Sequence, residues 1–446
     1  MTKPRRALTA AILQTARWMT FVQDAIAPSR ADESSLRYSG WRVVLACFLM
    51  ALCVFGFGLY GHGVYLAELQ RLNGWSVALI SGASTLSFLI CNVLAMFTHE
   101  LVVRLGPKRL VLLGLAALAG STTVLAFATS LWQLYAAFIL MSFGWIGMGT
   151  IVIAAVVSPW FVRRRGLAIS VAFTGASSGG VVVTPLLVVL VEQIGFRAAM
   201  LTATAIMVLI LVPVLLAWIG SSPQIGNSRG EGDDSSKPQD SSATIDMSRM
   251  SIVRRLSFWT ISIPFALALL AQVAFIVHQI PLLEPNIGLG NAGFAVSLMT
   301  TMAIAGRLGL GVFVDKLDPR LVTAASLVSQ AAALLTILQT NSVPLVLAAS
   351  AVFGFSVGNL ITLPPLIIHR EFSAASFVLV MGLSNAISGT IGALGPALAG
   401  LLRGWSGDYR SALLLCIAFE LVAAVLVVDW RLLVRRPAAT LTDDVG

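Results

Sequence analysis

The sequence predicts an all-α membrane protein of twelve transmembrane helices in two six-helix halves, with the N- and C-termini both cytoplasmic. Three observations carry that expectation. Of 446 residues 57% are hydrophobic and only 11% charged, with a mean hydropathy of +0.90, whereas a soluble domain carries about a quarter charged residues. The remaining charges divide the chain into apolar windows long enough to cross a bilayer. The basic residues gather on alternate loops, as the positive-inside rule requires.

A helix needs about 20 apolar residues to cross about 30 Å of hydrocarbon. Charge-free windows of that length lie between Arg42 and Glu68 (span 1), Arg71 and Glu100 (span 2), Arg165 and Glu192 (span 5), Arg197 and Arg229 (span 6), Arg255 and Glu284 (span 7), and Glu371 and Arg403 (span 11). The window from Arg109 to Arg163 is too long for one crossing, and Ala128-Thr129-Ser130 marks the hairpin that divides it into spans 3 and 4. Asn341-Ser342-Val343-Pro344 divides the stretch from Leu321 to His369 into spans 9 and 10. Spans 8 and 12 each hold one charge, Arg307 and Glu420. With the N-terminus in the cytoplasm, all 29 Lys and Arg fall on that side except Arg71, Arg197, Arg403 and Arg410, which are outside, and Arg307, which is in a span.

The domain plan follows from composition. Residues 1–41 form a cytoplasmic N-terminal segment, in which Leu8, Ile12, Met19, Val22 and Ile26 recur at helical spacing. They fit an amphipathic helix on the inner leaflet, and a basic tail without fixed structure fits the same residues. Residues 42–219 form the first half, a polar flexible linker covers 220–255, the second half covers 256–430, and 431–446 is a cytoplasmic tail. The linker is rich in Ser, Asp, Gly and Pro and has too little apolar surface to order itself. Arg104, Pro107 and Lys108 after span 2 recur with the same spacing as Lys316, Pro319 and Arg320 after span 8, the internal repeat expected of an alternating-access carrier.

Several chemistries find no residues to support them. Cys47, Cys53, Cys91 and Cys416 lie within spans at no metal-ligand spacing, so no metal site is expected. No phosphate-cradling loop is present, so no nucleotide or other cofactor is expected. The basic excess serves topology and does not point to nucleic acid.

Arg307 lies eight residues before Asp315, about 12 Å from the cytoplasmic loop and near the middle of the membrane. A guanidinium cannot be neutralised in a protein, and centring one in a bilayer costs at least about 2.5 kcal/mol. Two partners offset that cost: a substrate carboxylate, which its planar fork grips bidentately, or Glu420 in an internal ion pair. One central cation favours a monoanion over a dianion.

Gly311-Val-Phe-Val-Asp315-Lys316-Leu-Asp-Pro319-Arg320 resembles the signature loop of the major facilitator superfamily. The resemblance implies a cytoplasmic gate in which Gly311, Asp315, Lys316 and Arg320 join a charge network that latches that side. The first copy keeps Arg104, Gly106, Lys108 and Arg109 but has His99 and Val103 where the Gly and the Asp would stand. A narrower set, Gly61-His-Gly-Val-Tyr65, Gly74-Trp75-Ser76, Ser130-Leu-Trp-Gln-Leu-Tyr135, Trp160-Phe161 through Gly166-Leu-Ala168, and Val277-His278-Gln-Ile-Pro281, resembles the bacterial branch related to monocarboxylate transporters and oxalate/formate antiporters. That implies a multi-pass protein of the bacterial inner membrane, working as a monomer, which moves small organic anions, in many relatives with a proton.

In that superfamily span 8 lines the cavity and span 12 is peripheral, which favours the substrate role for Arg307. Animal members carry an Asp one turn earlier, where this chain has Ala303. The family's cavity-lining spans make Tyr60, His62, Tyr65, Thr150, Asn359 and Asn385 further substrate-binding candidates, each also open to an interhelical hydrogen bond. His278 and Glu420 are the proton-coupling candidates. The alternatives are a multidrug or other solute/proton antiporter of the same fold, which would carry acidic residues mid-span in the first half, and a membrane-embedded enzyme or transporter-like sensor, for which no nucleophile cluster or signalling domain is visible.

Overall fold

The computed structural model describes residues 33, 35, 38–161, 164–219, 249–313 and 317–428; for 310–313, 361, 374, 375 and 378 this is the backbone alone. The amphipathic stretch from Ala7 to Ala27, most of the linker, Asp315, Lys316 and the C-terminal tail lie outside the described residues.

The first half comprises α1 (Gly40–Phe55), a π-helical turn (Gly56–Tyr60), α2 (His62–Asn73), α3 (Val77–Ala95), α4 (Thr98–Leu105), α5 (Pro107–Ala126), α6 (Leu131–Met148), α7 (Thr150–Val157) and α8 (Arg165–Trp218). A short α9 (Arg249–Val253) precedes the second half: α10 (Leu256–Ile287), α11 (Leu289–Phe313), α12 (Pro319–Gln339), α13 (Val343–Glu371), α14 (Ala374–Ala393), α15 (Gly395–Ser406) and α16 (Arg410–Val427). Ile252 of α9 is buried in the second half's core, so the fold begins before residue 256.

Eleven stretches among the described residues are long and apolar enough to cross a membrane. The longest, α8, turns at Gly195 (φ 77°) and holds spans 5 and 6, which gives twelve crossings. A positive φ there suits glycine alone among the common residues, and Glu192 and Arg197, the charges that bound spans 5 and 6 in the sequence, flank the turn. The hairpin expected near Ser130 is present, because Ser130 and Gln133 form a capping box that starts α6. The repeat is visible in matching helix starts: Pro107 and Pro319 both occupy the first turn of the third span of their half, where a proline's missing N–H costs nothing.

The loops carrying Arg104, Lys108 and Arg320 lie on one face, called here the basic face. Contacts joining the halves gather toward the opposite face. There the carbonyl of Val277 and the side chain of Ile280 on α10 lie against Gly63 on α2, and Val188 on α8 against Gly293 on α11. Thr85 Oγ1 on α3 accepts from the Ala397 N–H on α15 at 2.9 Å. Nearer the basic face, Asn92 Nδ2 on α3 donates to Gly389 O on α14 at 3.0 Å.

Three spans are interrupted near mid-membrane: span 1 by the π-turn, span 4 at Gly149, and span 11 between Ala393 and Gly395. Such breaks leave backbone groups free, and they are tolerated inside a membrane where they border a cavity or packed protein.

Candidate functional site

Arg307 stands on α11 in the second half, partly buried. Its Nε is shut away from solvent without a hydrogen-bond partner, and it enters no ion pair among the described residues. Tyr60 is the titratable side chain that acts on it electrostatically; Glu420 does not. The internal ion pair left open by the sequence is therefore not formed. Glu420 is instead fully buried on α16, with neither carboxyl oxygen hydrogen-bonded.

α11 and α13 lie backbone to backbone, Met299 against Gly354 and Ala303 against Gly358. Any side chain at these glycines would meet a carbonyl, so the close approach requires glycine. This register places Asn359 within a turn of the depth of Arg307. Asn359 is buried, and its Oδ1 likewise has no partner. Two orphaned polar groups at one depth describe a site that a polar ligand would complete, since a buried polar atom left unpaired costs about 1–3 kcal/mol.

Tyr60, which acts on Arg307 electrostatically, stands where span 1 takes one extra residue into a turn. The Gly61 N–H bonds back to Gly56 O at 2.7 Å, closing the π-turn, a feature frequent at functional sites. Glycine permits it locally: Gly56 abuts the Val183 side chain and Gly58 the Trp145 indole.

His62 and Tyr65, expected on the cavity wall, are turned into the first half. Tyr65 Oη donates to Phe57 O at 3.1 Å, and His62 Nε2 meets Met141 Sδ at 3.3 Å among the rings of Tyr65, Phe88 and Phe138. The extra residue of the π-turn changes which side of span 1 they occupy.

Thr150 is exposed and lines a cavity of about 200 Å³ with Cys91, Asn92, Trp145, Ile146 and Ile151 among its walls. The α6–α7 break opens this space, since Gly149 is extended (φ −79°, ψ −172°) between the two helices. Asn385 on α14 is also exposed, one turn from the Gly389 carbonyl that Asn92 engages. Tyr60 thus acts on Arg307 electrostatically and Asn359 lies within a turn of its depth, while Thr150 and Asn385 are exposed.

His278 has both ring nitrogens occupied, Nε2 by Pro396 O at 3.0 Å and Nδ1 by Tyr409 Oη at 3.2 Å. It ties α10 to the start of α15 and the entrance of α16. Pro396 O can only accept, so Nε2 donates to it, while the Tyr409 hydroxyl can donate to Nδ1 or accept from it; the ring is a strut between these helices.

The expected gate residues separate in the same way. Arg320 is bound within its own half, to Glu371 by Nε at 2.6 Å and Nη2 at 2.9 Å, to Val427 O by Nη1 at 2.6 Å, and to Thr260 Oγ1 by Nη2 at 3.1 Å. It staples α10, α12, α13 and α16 and does not reach the other half. Lys108 Nζ bonds to Leu216 O of its own half at 3.0 Å. Arg104 and Arg109 are exposed on the basic face, Gly106 makes a turn at φ 76°, and Gly311 lies within α11. Sequence reasoning missed Glu371, Asn92 and Trp145. The first could have been sought as the acid matching a buried arginine, whereas the other two carry no charge or spacing signal.

A family model of the Major Facilitator Superfamily matches residues 46–320 and 279–444. Monocarboxylate transporter 11 of Mus musculus is 26% identical over 409 residues, covering 86% of this chain and 86% of that protein. Monocarboxylate transporter 13 of Rattus norvegicus is 26% identical over 396 residues, covering 86% and 87%. A bacterial homologue of the human lysosomal transporter Spinster superposes with a TM-score of 0.67 at 15% identity, over 88% of this chain and 97% of that one. The nucleoside transporter NupG gives 0.67 at 16% identity, over 87% and 98%. These solved structures share the fold. With its family match, its crossings and its paired halves, the chain belongs to the Major Facilitator Superfamily and is a membrane transporter rather than an enzyme.

Proposed function

We propose that the protein carries small monocarboxylates, each with a proton, across a bacterial cytoplasmic membrane by alternating access, as a monomer with its basic face and both termini in the cytoplasm. The observation that carries this reading is Arg307, a mid-membrane cation with no carboxylate partner among the described residues and an orphaned Nε. A carboxylate satisfies its planar fork, and a second carboxylate would find no second cation beside it. The relatives named monocarboxylate transporters support the same substrate class.

In this reading Tyr60 and Asn359 complete the anion site, and Thr150 and Asn385 line the approach. Glu420 holds the proton, because a carboxyl with no partner in a dry interior is stable there only when neutral. Arg104, Lys108 and Arg109 with Gly311, Asp315 and Lys316 supply the latch when the basic face closes, while Arg320 stiffens its own half. Proteoliposomes loaded at a set internal pH and offered labelled monocarboxylates test the reading. Uptake is expected to rise with an inward proton gradient and to vanish in Arg307→Ala; full transport by that variant would overturn it.

A further inference from the structure

Charges also gather on the face opposite the basic clusters, where the two halves are in contact. α2 and α10 cross where Val277 O and the Ile280 side chain lie against Gly63. Both helices run outward from that crossing, and Glu68 on α2 and Glu284 on α10 stand five and four residues beyond it, about 7.5 and 6 Å along their axes. The register thus sets two carboxylates of different halves at nearly one depth on neighbouring helices. Glu68 is only 2% exposed, and its Oε2 accepts from Arg71 Nη2 at 2.6 Å and Nε at 3.2 Å. Arg71 covers this pair from the solvent side, with its side chain 61% exposed. Glu284 acts electrostatically with both.

A third carboxylate joins from α8. Val188 lies against Gly293 on α11, and one turn on, Glu192 brings Oε1 to 3.9 Å from the place a Cβ on Gly290 would take, in the first turn of α11. Glu192 acts on Glu284 as well. Glu68, Arg71 and Glu192 are the charged groups that face Glu284; among the described residues no ionisable group of α9, α11 or α13–α16 acts on it. Three carboxylates against one guanidinium leave an excess of negative charge at this contact. Glu68 and Glu192 belong to the first half and Glu284 to the second, so closing this face brings like charges together and opening it parts them.

We propose that Glu284 is a proton-responsive gate residue: a proton on its carboxyl favours closure of the face opposite the basic clusters, and loss of that proton favours opening. Neighbouring like charges disfavour ionisation of each other, and coupling between two events is reciprocal, so closure favours the proton as the proton favours closure. The charges act across a contact between halves, and their effect falls on the equilibrium between the carrier's two states. The assignment is independent of what Arg307 holds and of whether Glu420 carries a proton. With the basic face in the cytoplasm, the protons concerned are external, and they close the outer mouth behind an entering solute.

Double electron–electron resonance on the full-length protein tests the assignment, with nitroxides at Trp132→Cys and Asn341→Cys. Both positions are exposed, one at the start of α6 and the other just before α13, at the ends of those helices that lie on this face. Cys91→Ala removes the half-buried thiol, and Cys47, Cys53 and Cys416 are buried. With the gate unaltered, a short distance should dominate at pH 5, and a longer one should gain about five-fold in population at pH 8. Glu284→Gln should hold the short distance at both pH values, and Glu420→Gln should leave the response intact. A distribution indifferent to pH with the gate unaltered would overturn the proposal, as would a response that survives Glu284→Gln. A response lost in Glu420→Gln alone would overturn it too, while leaving proton symport through Glu420 standing. Arg71→Gln, at a mostly exposed side chain, keeps the test open if Glu284→Gln fails to fold. It removes the one counter-charge, so the long distance should gain further at pH 8; an unchanged distribution would overturn the proposal.

Discussion

Single residues divide here into those that hold the fold and those that await a ligand. Arg320 and Arg307 are both partly or fully buried arginines, yet Arg320 makes four bonds to three neighbours on three other helices and Arg307 has an orphaned Nε. Removing one partner of a buried ion pair typically costs about 3–5 kcal/mol; Glu371 is 27% exposed, which places its loss toward or below the lower end. Arg320→Ala is therefore expected to lower the detergent-melting temperature by more than Glu371→Gln does, because Glu371→Gln leaves the bonds to Val427 and Thr260 in place. Arg307→Ala should leave melting unchanged or raise it, since it removes a desolvated charge that no residue offsets; a drop as large as that of Arg320→Ala would mean Arg307 has a structural partner. Glu420→Gln makes a separate case. It keeps the neutral shape, so exchange of labelled for unlabelled substrate should persist while proton-driven accumulation is lost, and a variant that still accumulates substrate up a pH gradient would remove Glu420 from the coupling.

Elements were legible in the sequence where a charge or a turn residue punctuates the chain, and not where backbone geometry alone does. The hairpin at Ser130 and the split before Val343 carry polar and Pro signals, and both were found. The π-turn of span 1, the Gly149 break of span 4 and the Gly395 break of span 11 are backbone events inside uninterrupted apolar runs. Hydropathy passes over them. Their cost to the reading is local but functional: they decide that Tyr60 acts on the cation while His62 and Tyr65 face the packed interior, and they open the space beside Thr150. Arg307 was legible because a charge in an apolar run needs a partner, whereas Asn359 was a candidate only through the family's cavity-lining spans, on a par with His62 and Tyr65, until its buried, unpartnered Oδ1 set it apart. Two adjacent glycines of α8 give the element-scale prediction. A Cβ on Gly179 would come within 2.6 Å of backbone atoms of Leu52 and Gly56 in the same half, while one on Gly180 would meet the Thr300 side chain of the other half. Gly179→Val should lower the yield of folded protein in size-exclusion chromatography. Gly180→Val should keep that yield and slow transport, because it obstructs the approach of α8 to α11 alone; equal losses of folded protein would show that the two contacts are not separable.

At the scale of the whole molecule, the distribution of charge sets the energetics of the cycle. The formal excess is +9, but the basic clusters sit at one face and the membrane interior holds few charges; among the described residues neither Arg307 nor Glu420 enters an ion pair. In the proposed symport an anion at Arg307 would neutralise the site and a protonated Glu420 would add no charge, so that the loaded carrier would cross between its two states electrically balanced. Driving a bare monoanion into a cell against its interior-negative potential would cost about 2.3 kcal/mol per 100 mV, nearly two powers of ten in accumulation ratio. Symport with one proton removes that term. The expected outcome is that accumulation in proteoliposomes follows the pH gradient and is unaffected by a potassium diffusion potential of either sign imposed at equal pH. Uptake that tracked the imposed potential would mean that the anion moves with its charge uncompensated, and the neutral-carboxyl role of Glu420 would then fail even if Arg307 still held the substrate.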